Sequence, residues 1–292
     1  MTTLGTVLAE QTARSIQAID LVLQQTQTMV VAGGTDNPEK FREAAATEEI
    51  HSFLRERLKA LPQANAITVI GADGALVNTS RTWPVQVIDL SGRDYFTWAQ
   101  QDSGPRIFIS APEVGTSSGD RSFFLARRAE GAGGEFIGLV LGAIDIRYFE
   151  DFFRTISLRN GGSVAAFRRD GRMLARYPHN ENMAGGKLPD QSGFYTRVEE
   201  GGGSYFSPGY VDGIARIVSV HPLRDFPLVI AVSMAEDAVL ANWRGQSLLI
   251  VLGALCTSAS LCFFGRLSRI RARSSGPRSR CARAKHDAAI SR

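Results

Sequence analysis

A serine in a Gly-x-Ser-x-Gly pattern is the first candidate for chemistry in this chain of 292 residues. Ser117 lies at the centre of that pattern in residues 115–119, and Asp190 and His221 follow in the chain order that hydrolases of this type use. Their nucleophile stands on a turn between a strand and a helix. Residues 122–125 read instead as a strand, so the pattern is typical of a hairpin loop. We predict that the chain is not an enzyme and keep a serine hydrolase as an alternative.

Histidine and cysteine are too scattered along the chain to indicate a metal site. None of them has a second ligand at a recognised spacing; they are His51, His179, His221, His286, Cys256, Cys262 and Cys281. The cysteines all follow residue 246, so the part before it needs no disulfide. We expect no metal and no cofactor.

An uncharged run at residues 247–265 is long enough, as a helix of about 30 Å, to cross a bilayer. After it, residues 266–292 carry nine basic residues and one acidic residue, a net charge of +8. The whole chain has a net charge of +4, so the preceding residues sum to −4. A short basic flank marks the cytoplasmic side, and Trp243 suits the opposite interface. We predict one membrane helix, a tail that meets anionic lipid, and no nucleic-acid partner.

The elements before the first strand are predicted to be two helices, the first of them long. Ile16, Ile19, Leu23 and Val30 recur at helical spacing and form a narrow apolar stripe. Such a stripe packs either on its own domain or on the same helix of a partner. Residues 36–39 carry cap chemistry and start the second helix, which we expect to continue to Pro62.

A strand and turn pattern then occurs twice. An apolar run, an Asp-Gly turn and a second apolar run appear around Asp73-Gly74 and again around Asp170-Gly171. Asp-Gly between short apolar runs is a strong hairpin signal. Each copy ends in an apolar strand, at residues 137–144 and 227–232. The spacing predicts an internal duplication of a small antiparallel-sheet module, with a short amphipathic helix between the copies.

These motifs, taken in order, resemble a bacterial double Cache sensor domain. The resemblance covers roughly residues 5–246 and rests on the segments at 89–96, 109–112, 124–128, 138–149, 170–171 and 207–213. It implies two PAS-like modules on a long N-terminal helix, a periplasmic location at the bacterial inner membrane, and small-molecule sensing for diguanylate cyclases, histidine kinases or chemoreceptors. Such proteins have a first membrane helix and an output domain. The sequence has neither, so we expect a start upstream of Met1 or a fragment.

The resemblance also implies a ligand pocket in the membrane-distal module. Arg93, Tyr95 and Asp145 occupy positions similar to those that hold ligand in amino-acid-binding double Cache domains, where an arginine holds the carboxylate and an aspartate the amine. Further candidates for the pocket are Trp83, Phe108, Ser110 and Arg121. The residues themselves leave another interpretation open: Arg93 pairs with Asp94 or Asp89, and Asp145 caps the helix that begins at Arg147.

The sequence therefore predicts an α+β chain that senses a small amino acid, amine or carboxylate in the periplasm. Its expected parts are an N-terminal helical region (1–62), a membrane-distal PAS-like module (63–155), a membrane-proximal PAS-like module (156–246), a transmembrane helix (247–265) and a basic cytoplasmic tail (266–292). A homodimer through the N-terminal helix is expected. The alternative is an ectodomain that dimerises through the stripe and binds no ligand; a closed polar cavity at Arg93 and Asp145 would distinguish the two.

Overall fold

The computed structural model describes residues 2–31, 37–101, 107–114, 121–156, 161–180, 183, 185–239, 250–261, 263 and 265–266. The chain divides into two compact units, Met1–Glu236 and Asp237–Arg292. The first unit is an α+β fold in which a long N-terminal helix precedes two antiparallel sheets. This is the architecture that the sequence predicts for that part of the chain.

Three helices, not two, precede the first strand: α1 (Thr2–Val31), α2 (Pro38–Ala45) and α3 (Glu48–Lys59). The prediction of one continuous second helix was wrong because Thr47 begins a new one. Its hydroxyl accepts a hydrogen bond of 3.3 Å from the backbone N–H of Ile50, as an N-cap does. Asn37 caps α2 in the same way, through the N–H of Lys40.

The first sheet consists of β1 (Ala64–Gly71), β2 (Leu76–Thr79), β3 (Ile107–Ile109), β4 (Glu113–Val114), β5 (Arg121–Glu130) and β6 (Phe136–Asp145). Its strand order is β2-β1-β6-β5-β3, and β4 also pairs with β5. Helix α4 (Asp94–Gln100) contacts β5 and β6. We call this sheet with α4 the first module.

The second sheet consists of β7 (Gly162–Arg168), β8 (Met173–Tyr177), β9 (Gly203–Ser207), β10 (Arg216–Pro222) and β11 (Leu228–Ala235), in the order β8-β7-β11-β10-β9. Helix α5 (Ile146–Thr155) links the two sheets, and α6 (Gly193–Glu199) contacts β9 and β10. We call the second sheet with α6 the second module.

The two sheets share one topology, and their first hairpins turn in the same way. Gly74 and Gly171 both have φ of +83°, a conformation that glycine adopts without steric cost. Each follows an aspartate and lies between paired antiparallel strands, β1 with β2 and β7 with β8. The Asp-Gly repeat in the sequence thus corresponds to equivalent hairpins of equivalent sheets.

Helix α1 contacts strands of both sheets, namely β5, β6, β10 and β11. The stripe of Ile16, Ile19, Leu23 and Val30 is at most 1% exposed and belongs to the core beneath these strands. The choice left open by the sequence is therefore decided: the stripe packs on its own chain. In this arrangement the stripe is covered and is not exposed to a partner's helix.

A buried ion pair connects α1 to the first sheet. Nε of Arg127 on β5 lies 2.5 Å from Oδ1 of Asp20, and Gln24 donates a hydrogen bond of 2.9 Å to the other carboxylate oxygen. Both charged side chains are largely buried, so each depends on the other for its charge compensation.

In the second unit, residues 250–261 are helical and their side chains are exposed. Ile250, Leu255 and Leu261 are 61–74% exposed. Among the described residues, no helix combines the length and hydropathy that a membrane crossing needs. The predicted span at 247–265 falls partly outside those residues.

Candidate functional site

A cavity of about 430 Å³ lies in the first module, on the face of the sheet that carries α4. Sites for small organic molecules usually have volumes of 300–1,000 Å³. The lining side chains come from β1, β2, the segment after β2, α4, β5 and β6: Asn65, Ala66, Thr68, Leu76, Thr79, Arg81, Thr82, Gln86, Ile88, Leu90, Tyr95, Ser122, Phe124, Leu141 and Ala143.

Strand alternation separates the cavity from the core. On β1, Thr68 faces the cavity, whereas Ile67 and Val69 belong to the core with α1. On β5, Phe124 lines the cavity and Phe123 packs into that core. Because successive side chains of a strand point to opposite faces, one sheet serves both the helix layer and the cavity.

The polar lining of the cavity consists mostly of neutral groups. Thr68 and Thr79 are cross-strand partners, and their hydroxyls lie 3.5 Å apart. Asn65 donates a hydrogen bond of 3.3 Å to the hydroxyl of Ser122. These groups offer both donors and acceptors to a bound molecule.

Tyr95 is the one predicted site residue among the residues that line the cavity. It is 2% exposed, and its ring lies 5.3 Å from that of Phe124. Burial raises the pKa of the Tyr95 hydroxyl, which keeps it protonated. The hydroxyl makes no hydrogen bond with another part of the described chain.

Arg93 caps α4 without a side-chain hydrogen bond to that helix, and its guanidinium pairs with Glu113 at 2.5 Å. Burial raises the pKa of Glu113, and the charge of Arg93 opposes that effect. This ion pair is thus formed with neither Asp94 nor Asp89, the two acids considered from the sequence. Arg93 is not among the residues that line the cavity.

Asp145 is the last residue of β6 and the N-cap of α5. Its carboxylate accepts a hydrogen bond of 2.9 Å from the backbone N–H of Arg147. Its cross-strand partner, Ser122, lines the cavity, but Asp145 itself does not. The cap considered from the sequence is present, and a ligand contact of Asp145 stays a prediction.

The other four predicted residues are not among those that line the cavity. The Phe108 ring is stacked 5.3 Å from Trp98, and Ser110 accepts a hydrogen bond of 2.9 Å from the N–H of Phe124. Trp83 is stacked 5.7 Å from His51. Arg121 lines a void of about 10 Å³ beside α5 and β8. Their roles in ligand binding stay predictions.

A smaller cavity of about 40 Å³ lies in the second module. Arg176 and Arg216 meet at its wall, and both pair with Asp212, at 2.8 Å and 2.7 Å. The one carboxylate of Asp212 is therefore already shared by two guanidinium groups, which leaves a net charge of +1. The small free volume admits water-sized molecules rather than an organic ligand.

The hydrolase alternative gains no geometric support. Ser117 lies outside the described residues. Asp190 pairs with Lys187 at 3.0 Å, and Nε2 of His221 lies 2.9 Å from the hydroxyl of Ser219. Within the described chain, no group of three histidine, cysteine, aspartate or glutamate side chains is arranged to hold a metal ion.

Sequence reasoning missed the polar lining and Arg81. A signal was present at Thr68, a polar residue inside the apolar run 66–70 of β1, on the face away from α1. The cluster of Arg81, Thr82 and Gln86 after β2 was not informative, because its position depends on the path of a loop.

Comparisons with known proteins agree with the fold. The dCache_1 family model, described as a Cache domain, matches residues 1–243. The extracellular domain of the putative histidine kinase rpHK1S-Z16 has a TM-score of 0.69 and 27% identity, over 83% of this chain and 96% of that one. A search of curated proteins finds no match.

Two chemoreceptor domains have the same fold at lower identity. The ligand-binding domain of Pseudomonas aeruginosa PAO1 PctB, in complex with L-Arg, has a TM-score of 0.59 and 16% identity, over 81% of this chain and 94% of that one. The periplasmic sensory domain of Campylobacter jejuni Tlp1 has a TM-score of 0.61 and 11% identity, over 82% and 94%.

Proposed function

Because this chain belongs to the Cache-domain family, we propose that it is the receptor part of an extracytoplasmic sensor and binds a small organic molecule in the cavity of the first module. The observation that carries this proposal is the 430 Å³ cavity with its mixed polar and apolar lining. Homologous Cache domains are ligand-binding sensor domains of chemoreceptors and kinases, as the comparisons above describe.

The cavity favours a ligand-binding domain over a purely structural one. The opposite face of the same sheet is packed by fully buried side chains such as Ile67 and Val140. An interaction module without a ligand would fill both faces of its sheet in this way, since interiors pack closely. Open volume on one face therefore supports capture of a small molecule.

The structure also offers a route by which ligand binding would affect the second module. The Arg168 guanidinium at the end of β7 lies 5.7 Å from the centre of the Phe108 ring on β3, and α1 contacts both sheets. A bound molecule that tightens the first sheet would shift these contacts. In this proposal, the signal is a ligand-dependent change in the relative populations of two conformations of unit Met1–Glu236.

Calorimetry and thermal denaturation of the full chain in detergent test the proposal. The panel comprises amino acids, amines, carboxylates and purines. We expect at least one compound to raise the melting temperature and the Ala143→Leu variant, which fills the cavity, to abolish that rise. Ala60→Leu is the control, because Ala60 is exposed at the end of α3. If no compound stabilises the protein, or if Ala143→Leu still responds, the proposal is wrong.

We propose that residues 247–265 anchor the chain in the inner membrane, with residues 1–246 in the periplasm and the basic tail in the cytoplasm. The absence of charge in this run and the exposed apolar side chains of Ile250, Leu255 and Leu261 support the anchor. We expect the chain to stay in the membrane fraction after a carbonate wash. Recovery without detergent would contradict the anchor and leave the ligand site untouched.

A homodimer through the N-terminal helix would have to use the outward face of α1. Val7 and Leu21 are 59% and 49% exposed there, in contrast to the covered stripe. We propose that this face meets its copy. Sedimentation of the full chain in detergent should show a dimer, and the Val7→Lys, Leu21→Lys double variant should sediment as a monomer. A dimer that survives both substitutions would contradict this arrangement.

A further inference from the structure

The described lining of the cavity in the first module carries a positive charge and no negative charge. Arg81 is the one charged side chain among its described lining residues, and no aspartate or glutamate is among them. Two acids of the same module have partners of their own: Glu113 is paired with Arg93, and Asp145 caps α5. The cavity therefore presents a positive charge that its own wall does not balance.

Arg81 itself has no partner in the described chain. It makes no ion pair or hydrogen bond there, and its side chain is exposed at the cavity. Two other arginines of this module are paired, Arg93 with Glu113 and Arg127 with Asp20, whereas Arg121 lines a different void, beside α5 and β8. An arginine fork without a protein partner is suited to bidentate binding of a carboxylate.

The neutral groups of the cavity offer further hydrogen-bond donors to a bound carboxylate. The Ser122 hydroxyl accepts from Asn65, so its own hydrogen is free to donate to a ligand. The Tyr95 hydroxyl stays protonated, and it too is directed to no other described residue. The rest of the wall is apolar and includes Phe124 and Leu141.

We propose that the ligand of this cavity is a small organic carboxylate with an apolar body and no amino group, and that Arg81 binds its carboxylate. An ammonium group would meet no carboxylate on the described wall, and an unpaired buried charge is strongly unfavourable. This inference rests on the proposed function. It names the ligand class of the same cavity and assigns the anion-binding role to Arg81.

Matched compounds test the ligand class. Calorimetry of the full chain in detergent would use carboxylates of two to eight carbons, each with its α-amino acid and the corresponding amine; one such set is 4-methylpentanoate, leucine and 3-methylbutylamine. We expect at least one carboxylate to bind about tenfold more tightly than its amino acid, since one unpaired charged group costs more than about 1.4 kcal/mol. The amine should not bind.

Variants test the role of Arg81. Arg81→Gln should weaken carboxylate binding about tenfold, Arg81→Lys should recover part of the loss, and Arg154→Gln should change nothing. Arg154 is an exposed arginine paired with Asp151 on α5. Melting of each variant without ligand controls for folding, and Arg81 is exposed enough to be replaced without disturbing the core.

The outcomes separate the two proposals. An amine or amino acid that binds as tightly as its carboxylate, or full carboxylate affinity in Arg81→Gln, would overturn this inference while the sensor function stands. If no compound of the three classes binds, the inference fails, and the purines of the earlier panel then decide whether the sensor function fails with it.

Discussion

The guanidinium of Arg168, at the end of β7, donates a hydrogen bond of 3.0 Å to the backbone carbonyl of Ile109 on β3. The same guanidinium is held in place by Asp170, which accepts from it at two atoms. One side chain thus joins the edge of the first sheet to the first hairpin of the second. The contact joins the first module, which holds the candidate cavity, to the second module.

Loss of this contact should weaken the unit measurably. We expect Arg168→Leu to lower the free energy of unfolding by about 2 kcal/mol, since a hydrogen bond from a charged donor contributes about that much. Urea denaturation followed by circular dichroism measures the change. The exposed Arg154→Leu is the matched control, and an equal loss in both variants would contradict a specific role for Arg168.

We expect loss of the ion pair between Asp20 and Arg127 to lower the free energy of unfolding by more than loss of the Arg168 contact does. Asp20→Asn leaves the largely buried Arg127 without its counter-charge, so we expect a loss of about 3 kcal/mol in the free energy of unfolding. Asp151→Asn removes one partner of an exposed pair and should have a much smaller effect. Chemical denaturation measures the free energy of unfolding of both variants. Equal stability of the wild type and Asp20→Asn would show that the pair contributes nothing.

Gly138 on β6 has no room for a side chain. An added Cβ would lie 2.3 Å from Cε1 of Phe41 and 2.7 Å from the carbonyl oxygen of Ile70, so ring and strand would have to move. We expect Gly138→Ala to cost about 3 kcal/mol, at the upper end of overpacking effects. Gly92→Ala is the control, because nothing lies within 4 Å of its added Cβ. Similar melting temperatures for the two variants would contradict the close approach.

Asp212 should make the stability of the second module depend on pH in the acidic range. Burial acts to raise its pKa, but the hydrogen bond and charge of Arg216, the backbone N–H of Ile214 and the charge of Arg176 together hold the pKa below its ordinary value. A depressed pKa stabilises the folded state above the ordinary pKa, and this contribution is lost as the pH falls through the folded pKa. We expect Asp212→Asn to be less stable than the wild type at pH 7, with a difference that narrows below about pH 4. A difference that stays constant between pH 7 and pH 3 would be evidence against this linkage.

Asp145 allows its two suggested roles to be measured separately. Asp145→Ala should lower the free energy of unfolding by about 1 kcal/mol through loss of the α5 cap. Asp145→Asn should keep that stability, because the amide oxygen still accepts from the N–H of Arg147. We also expect Asp145→Asn to keep its affinity for carboxylates. A loss of affinity at unchanged stability would instead support the ligand contact predicted from the resemblance.

Local patterns in the sequence predicted the framework of the fold because their physical causes are local. The stripe from Ile16 to Val30 follows from helical spacing, and the hairpins at Asp73 and Asp170 follow from turn chemistry. The break at Thr47 was missed although its cap is also local, because the apolar spacing on both sides continues through it.

Contacts between distant segments could not be predicted in the same way. Arg93 pairs with Glu113, and Arg127 pairs with Asp20, only because a strand register and a helix placement bring them together. Local spacing in a single sequence carries no information on such registers. The same holds for Arg81, which reaches the cavity through the path of the segment after β2.

The order in which α1 meets the two sheets has a consequence for synthesis. Gly5, near the start of α1, lies directly against the imidazole of His221 on β10, whereas Ile19, further along, covers Gly142 on β6. The ribosome therefore makes the first turns of this helix well before β10, their partner strand. Until β10 has been synthesised, the first turns of α1 lack the strand that they pack against in the folded unit.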